Sequence, residues 1–298
     1  MIQWIPYQPP PTQVLKIPAA TEHNINLLVR REDLNHPVVS GNKWWKLKYN
    51  LLEARQKNYQ AVLTFGGAYS NHIYATAAAC KELGLKSIGI IRGEELPGPE
   101  PINSTLLFAK QCGMQLHFIS RTDYRKKTEN TFLTSLEEKF GRCFIIPEGG
   151  TNSLAVQGCA ELGKLLVETK FDYLCLPVAT GGTIAGIVNA FDGERKIVGL
   201  PVLKDGGFLK DEIQKLVSSS WNNWELFLDY HHGGYAKTSL RLNSFINELA
   251  QYDIPTEPVY SAKLFWAVFD LLKKGYFERG STVMILHTGG LRNETPPA

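Results

Sequence analysis

The chain has 298 residues, 44% of them hydrophobic, which is enough for one large core or two of ordinary size. Its 32 basic side chains meet 29 acidic ones, and a net charge of +3 with no long basic run excludes electrostatic binding of nucleic acid or an anionic membrane surface. No apolar run is long enough to span a bilayer, and the opening "MIQWIPYQPPPTQ" lacks the basic and apolar regions of a secretion signal, so a cytoplasmic protein is expected.

In chain order, Ser40 to Asn50, "SGNKWWKLKYN", opens a helix after a Ser-Gly-Asn turn and carries three lysines around a tryptophan pair. "QAVLTF" reads as a strand, "GGAYSN" as a turn, and "HIYATAAACKEL" as a helix stopped by Gly84. "KSIGIIRG" is a strand, "STLLFAKQCG" a helix and "MQLHFIS" a strand. "CFIIPEGGTNSLAVQGCAELGKLLVET" and "FDYLCLPVATGGTIAGIVNAF" each repeat a strand, a glycine turn and a helix, and the strand "RKIVGLPV" follows. "LKDEIQKLVSSSW" reads as a helix, Gly233-Gly234-Tyr235 as a turn, "SAKLFWAVFDLLKKG" as a helix and "STVMILHTGG" as a final strand. This alternation predicts an α/β protein with parallel sheets.

The five cysteines, Cys80, Cys112, Cys143, Cys159 and Cys175, form no CxxC pair and mostly sit in apolar segments, so buried free thiols are expected. His231-His232 is the only close histidine pair; adjacent residues on a strand point to opposite faces, so no metal site is expected.

Pro177 to Val188, "PVATGGTIAGIV", is the strongest single motif. A strand running into Thr180-Gly181-Gly182-Thr183 and then a helix lets backbone N–H groups and the helix dipole meet an anion. A P-loop needs Lys and Ser/Thr after its last glycine, but Ile187 and Val188 follow Gly186. A dinucleotide fingerprint needs GxGxxG and this loop reads GGxxxG, although Asp205 stands near the ribose-binding distance. A monophosphate cofactor such as pyridoxal phosphate, or a plain tight turn, are the other readings. Thr64 to Ala75, Ile146 to Ala155 and His287 to Gly290 are further glycine turns after strands, and several such turns can line one crevice. Lys43 and Lys46 share one helical face. A cation in the first turn opposes the dipole, and burial beside tryptophan disfavours the ammonium; both lower an amine's pKa, as a cofactor-bonding lysine requires.

"REDLNHPVVSGNKWWKLKYN", "LTFGGAYSNH", "PEGGTN", "ATGGTIAG", "GGYAK", "PVYSAK" and "HTGGL", in this order over nearly the whole chain, resemble the 1-aminocyclopropane-1-carboxylate deaminase / D-cysteine desulfhydrase family. The resemblance implies a fold-type II pyridoxal-phosphate enzyme with two three-layer α/β domains and the cofactor between them. Residues 1–44 with 152–298 would form the larger, phosphate-holding domain, and 45–151 the smaller, substrate-side one. It implies Lys43 as the covalent partner of the cofactor, Lys46 as a phosphate clamp and Thr180 to Thr183 as the phosphate loop. Asn71 would bond the pyridine 3-oxygen, and Ser70, with the backbone at Asn71 and His72, would receive the substrate carboxylate and assist proton transfer. Tyr235 and Tyr260 would be the two active-site tyrosines. Family members are commonly homodimers acting on a small amino acid.

Two departures stand out. Trp45 and Lys48 occupy positions where the family often reads Arg and Glu; Trp44 and Trp45 read as packing and Lys48 as a solvated charge. Ser261 follows Tyr260 where cyclopropane deaminases carry a glutamate facing the pyridine nitrogen. A hydroxyl there makes a weaker electron sink, which suits a thiolate leaving group, whose conjugate acid has a pKa of about 8.5, better than ring opening. The expected reaction is therefore β-elimination from D-cysteine to pyruvate, ammonia and sulfide. Cyclopropane ring opening to 2-oxobutyrate is the alternative, and an NAD-binding oxidoreductase a more distant one.

Overall fold

The computed structural model describes residues 4–94, 103–191, 193–218 and 220–291. Among these residues ten strands form two sheets. The first, in the order β1 (Thr12–Val14), β2 (Asn26–Arg30), β10 (Thr282–Leu286), β7 (Tyr173–Val178), β8 (Lys196–Pro201), β9 (Trp224–Leu226), is parallel apart from its antiparallel β1 edge. The second, β5 (Gln115–Ile119), β4 (Lys86–Arg92), β3 (Ala61–Gly66), β6 (Phe144–Ile146), is parallel throughout. The helices are α1 (Pro18–Glu22), α2 (Asn42–Gln56), α3 (Asn71–Glu82), α4 (Ser104–Gln111), α5 (Arg121–Tyr124), α6 (Asn130–Phe140), α7 (Ser153–Leu166), α8 (Gly182–Ala190), α9 (Leu209–Leu216), α10 (Leu240–Leu249) and α11 (Ser261–Lys273).

Parallel strands joined by helical crossovers are covered on both faces, and the side-chain period of two sends alternate residues to each cover. In the six-stranded sheet, Leu28, Leu174, Met284 and Leu286 pack toward α7 and α8, while Leu27, Val29, Cys175, Val283 and Ile285 pack toward α10 and α11. In the four-stranded sheet, Val62, Ile91 and Ile146 join the core of α3 and α4, and Leu63, Phe65, Ile88 and Ile90 face Tyr124 and Leu136 of α5 and α6. Each sheet is thus the middle of three layers. All five cysteines are buried and unpaired, as their setting in apolar segments predicts.

The alternation of strand and helix is that read from the sequence, with additions. The strands β1 and β2 return the N-terminal segment to the six-stranded sheet with α1 between them, and α5, α6, α10 and β9 lie where no element was read. Helix α9 ends at Leu216 rather than continuing to Trp221, its C-cap Val217 being extended (φ −83°, ψ 124°). His231 and His232 lie not on a strand but in a turn, with His232 at φ 50°. We propose the division into 1–44 with 152–298 and 45–151 because the strands of the two sheets come from separate stretches of chain; the 44/45 cut falls inside the continuous helix α2. Among the described residues no helix is long and apolar enough to cross a membrane.

Candidate active site

The site is built from the loops that follow the parallel strands. Its first wall is the start of α2. Gly41 has φ 68°, and a Cβ there would stand 1.9 Å from the carbonyl oxygen of Thr288, so only glycine lets the chain cross beneath the turn after β10. Asn35 holds both faces of this peptide, accepting from Gly41 N (2.8 Å) and donating to Gly41 O (3.1 Å). Asn42 N bonds Thr288 O (3.1 Å), and Asn42 Nδ2 bonds Thr183 Oγ1 (2.9 Å). Lys43 is thereby fixed with its Nζ donating to Asn42 Oδ1 at 3.3 Å.

One cleft is lined by Lys43, Lys46, Asn71, Thr180 to Thr183 and Tyr260. Lys43 is only partly hidden from solvent, yet protein surrounds its amine closely enough that desolvation lowers it to about 8. Lys46 is 2% exposed, and burial followed by repulsion from Lys43 lowers it to about 7. Its three hydrogens have three acceptors: Gly149 O, Thr151 Oγ1 (2.7 Å) and Thr180 Oγ1 (3.3 Å). Lys46 therefore borders the cleft while tying the turn after β6 to the loop after β7. Thr151 Oγ1 and Thr180 Oγ1 are also bonded to each other at 2.6 Å.

The second wall is the loop Thr180 to Thr183. Gly181, at φ 77°, is the N-cap of α8 and offers no side chain to its first N–H groups. A Cβ on Gly182 would lie 2.8 Å from Thr151 Oγ1, so a larger residue would fill the cradle. A glycine cradle at a helix N-terminus, beside a lysine amine near neutrality, fits both the phosphate and the aldehyde of pyridoxal phosphate.

The third wall is the start of α3. Ser70 is its N-cap, buried, with its hydroxyl accepting from Ile73 N at 3.3 Å. Asn71 beside it lines the cleft near Gly290. His72 points inward to Thr64 Oγ1 (2.8 Å), and burial, then Lys43 and Lys46, hold its imidazole neutral, well below its ordinary pKa. What His72 can offer a ligand is its backbone N–H at the helix start.

Tyr260 precedes α11 and packs edge-to-face on Tyr235, centroids 6.0 Å apart. Burial, then Tyr235 and nearby carboxylates, raise the Tyr260 phenol well above its usual range, so it stays protonated. Lys263, 1% exposed, donates to Gly234 O (2.8 Å) and so holds the turn that carries Tyr235. Ser261 is fully buried in the first turn of α11; its hydroxyl accepts from Glu257 N (2.8 Å) and reaches Glu257 Oε1 (3.2 Å). The Glu257 carboxylate in turn accepts from the backbone N–H groups of Val259, Tyr260 and Ser261, each at 2.8 Å.

Sequence reasoning passed over Asn42, Thr151 and Glu257. Asn42 and Thr151 sit within quoted motifs, and only the tertiary pairing gives them partners. Two residues of α2 gain roles. The indole N–H of Trp45 donates to Glu32 Oε2 (2.9 Å), a buried carboxylate also held by Arg30 (3.0 Å), so this position supplies a donor as well as packing. Lys48 is not a free surface charge: its Nζ lies 2.5 Å from Glu161 Oε2 of α7.

The model of the family described as pyridoxal-phosphate dependent enzyme matches residues 5–289. A Thermotoga maritima protein provisionally named a 1-aminocyclopropane-1-carboxylate deaminase is 30% identical over 303 residues, covering 95% of this chain and 94% of its own. The Arabidopsis thaliana mitochondrial bifunctional D-cysteine desulfhydrase/1-aminocyclopropane-1-carboxylate deaminase is 29% identical, over 92% of this chain and 74% of its own. A crystal structure described as that of an ACC deaminase homologue superposes with a TM-score of 0.82 at 27% identity, covering 97% of this chain and 90% of the other. The chain belongs to the pyridoxal-phosphate dependent enzymes, and among them to the 1-aminocyclopropane-1-carboxylate deaminase / D-cysteine desulfhydrase family.

Proposed function

We propose that this chain is a D-cysteine desulfhydrase, releasing pyruvate, ammonia and sulfide. The observation that carries this reading is Ser261. At the position where cyclopropane-opening members carry a glutamate, this chain places a buried neutral hydroxyl next to the cleft-lining Tyr260. The adjacent carboxylate, Glu257, is engaged by three backbone N–H groups of the α11 start.

Pyridoxal phosphate, when bound, supplies a ring that takes up the electrons released at the α-carbon. The N–H groups at the start of α8, with Thr180 and Thr183, would hold its phosphate, and Asn71 its 3-oxygen. Lys43, lowered to about 8 by desolvation, has a substantial neutral fraction near that pH and serves as nucleophile and then as base at the α-proton. Ser70 and the first N–H groups of α3 receive the substrate carboxylate. Tyr260, protonated and paired with Tyr235, donates a hydrogen bond toward the departing sulfur. Lys46 fixes the turns around this arrangement. As a small soluble-type enzyme of this family, the chain is proposed to act in the cytoplasm as a homodimer, which light scattering tests directly.

The second reading, cyclopropane ring opening, is favoured by the names of the relatives, one of which carries both activities. Purified protein given each substrate separates the two. Sulfide from D-cysteine in excess of 2-oxobutyrate from 1-aminocyclopropane-1-carboxylate supports the proposal, and the opposite preference overturns it. Borohydride treatment should fix the cofactor at Lys43; fixation at another lysine would refute the assignment of that residue.

A further inference from the structure

A second concavity lies beside the cleft. Arg92 at the end of β4, Arg121 and Arg125 around α5, and Lys127 converge on it, with Tyr124 and Glu148 completing its wall. Its volume is about 200 Å³, room for a carboxylate, sulfonate or phosphate. Among the described residues, this lining carries four cations and one carboxylate. That carboxylate is already engaged, accepting from the Tyr124 hydroxyl at 2.8 Å and pairing with Lys127 at 3.4 Å. Among the described residues neither Arg92 nor Arg125 has a carboxylate partner; Arg92 lies over the Tyr124 ring, 5.7 Å from its centroid. Convergent guanidinium groups repel one another unless an anion sits among them, and their forked donors match an oxyanion bidentately.

The position of the pocket connects it to the amino-acid site. Arg92 and Arg121 stand at the carboxyl ends of the adjacent parallel strands β4 and β5, the edge at which open α/β sheets bind ligands. The Ser70 and Glu148–Gly150 turns rise from the same edge, after β3 and β6. An Arg92 guanidinium nitrogen lies 3.5 Å from where Gly67 would carry a Cβ, three residues before Ser70. Glu148 opens the turn whose Gly149 carbonyl holds Lys46. Cleft and pocket therefore lie on two sides of the same pair of turns.

We propose that the Arg92–Arg121–Arg125–Lys127 pocket is an oxyanion subsite of the enzyme. Its ligand is either an acidic group at the far end of the amino-acid substrate or a free oxyanion such as inorganic phosphate. The first source rests on the lyase reading above, and the second does not.

The test compares S-carboxymethyl-cysteine with the uncharged S-carboxamidomethyl-cysteine, as both enantiomers, in the wild-type holoenzyme and in Arg121→Gln/Arg125→Gln. Both substituted side chains are exposed, so the fold is not at stake. A substrate tail in the pocket predicts at least a tenfold kcat/KM advantage for the carboxymethyl compound. The variant should abolish that advantage and leave the uncharged compound unchanged. A free anion predicts no such preference, but calorimetric binding of inorganic phosphate to the wild-type holoenzyme that the variant loses. Should neither amino acid turn over while D-cysteine does, the substrate-tail source is overturned and the phosphate titration decides the pocket; should D-cysteine also fail, the reaction assignment fails with it. No charge preference together with no phosphate binding, or equal losses for both substrates, overturns the proposal.

Discussion

Replacing Trp45 with Phe should destabilise the protein through a carboxylate rather than through packing alone. Glu32 is fully buried and accepts four hydrogen bonds: from Tyr7 (3.2 Å) and Arg30 (3.0 Å) on one oxygen, and from Asn35 (2.9 Å) and Trp45 (2.9 Å) on the other. A hydrogen bond to a charged group contributes about 1.5–3 kcal/mol, and the smaller ring leaves a cavity costing about 1 kcal/mol more. The expected loss of about 2.5–4 kcal/mol corresponds to a fall in melting midpoint of roughly 5–16 °C, at about 2–4 °C per kcal/mol for a large domain. Removing the charge with Glu32→Gln should make the Trp45→Phe change cheaper, leaving a coupling of about 1–2 kcal/mol in the double-mutant cycle. Urea unfolding followed by far-ultraviolet circular dichroism reads all four corners of the cycle. Additivity within about 0.5 kcal/mol would refute the role given to the indole N–H.

Lys46 gives a pH dependence whose sign follows from its lowered amine. Between about 7, where the folded amine loses its proton, and 10.5, the ordinary lysine value that the unfolded amine approaches, the unfolded chain binds the extra proton, so folding stability rises with pH. The stability difference between cofactor-free wild type and Lys46→Met should therefore grow by about 2 kcal/mol from pH 7 to pH 9 in urea titrations; a constant difference would contradict it. Tyr260→Phe should lower kcat by about 10²–10³ while the absorbance of bound cofactor is retained, and unchanged turnover would remove the phenol from the mechanism. Gly158→Ala sets a Cβ 2.0 Å from the Trp45 carbonyl, between α7 and α2, and should cost about 3 kcal/mol in urea unfolding. A variant as stable as wild type would show that the two helices can part freely.

The strands that build the site were readable because parallel crossovers leave long apolar runs such as β7, buried at every position. Their glycine turns were readable because a chain passing close to a ligand has few alternatives to glycine. The short edge strands β1 and β9 carry no such run, with three residues each, and no period emerges from so short a stretch. Lys48 and Trp45 show a second limit. Both were judged from their place on one helix, whereas Glu161 and Glu32, which give them partners, are distant in sequence and meet them only after the helices dock. Lys43 drew notice from its own segment, as a first-turn amine opposing the helix dipole, whereas its place in one cleft with Thr180 to Thr183 emerges only in the fold.

The two neighbouring lysines of α2 answer to different parts of the molecule. The backbone that carries Lys43 is pinned to the turn after β10 and to α8, both belonging with the six-stranded sheet. The Lys46 amine reaches Gly149 and Thr151 beyond β6 of the four-stranded sheet, and Thr180 beyond β7 of the six-stranded one. It acts as a registration pin between the two sheets. The side chain at residue 46 thus bears on how the sheets are aligned: arginine could not place three donors on three oxygens around a single nitrogen. A slip of one sheet against the other would break these bonds at Lys46 while leaving the anchorage of Lys43 intact.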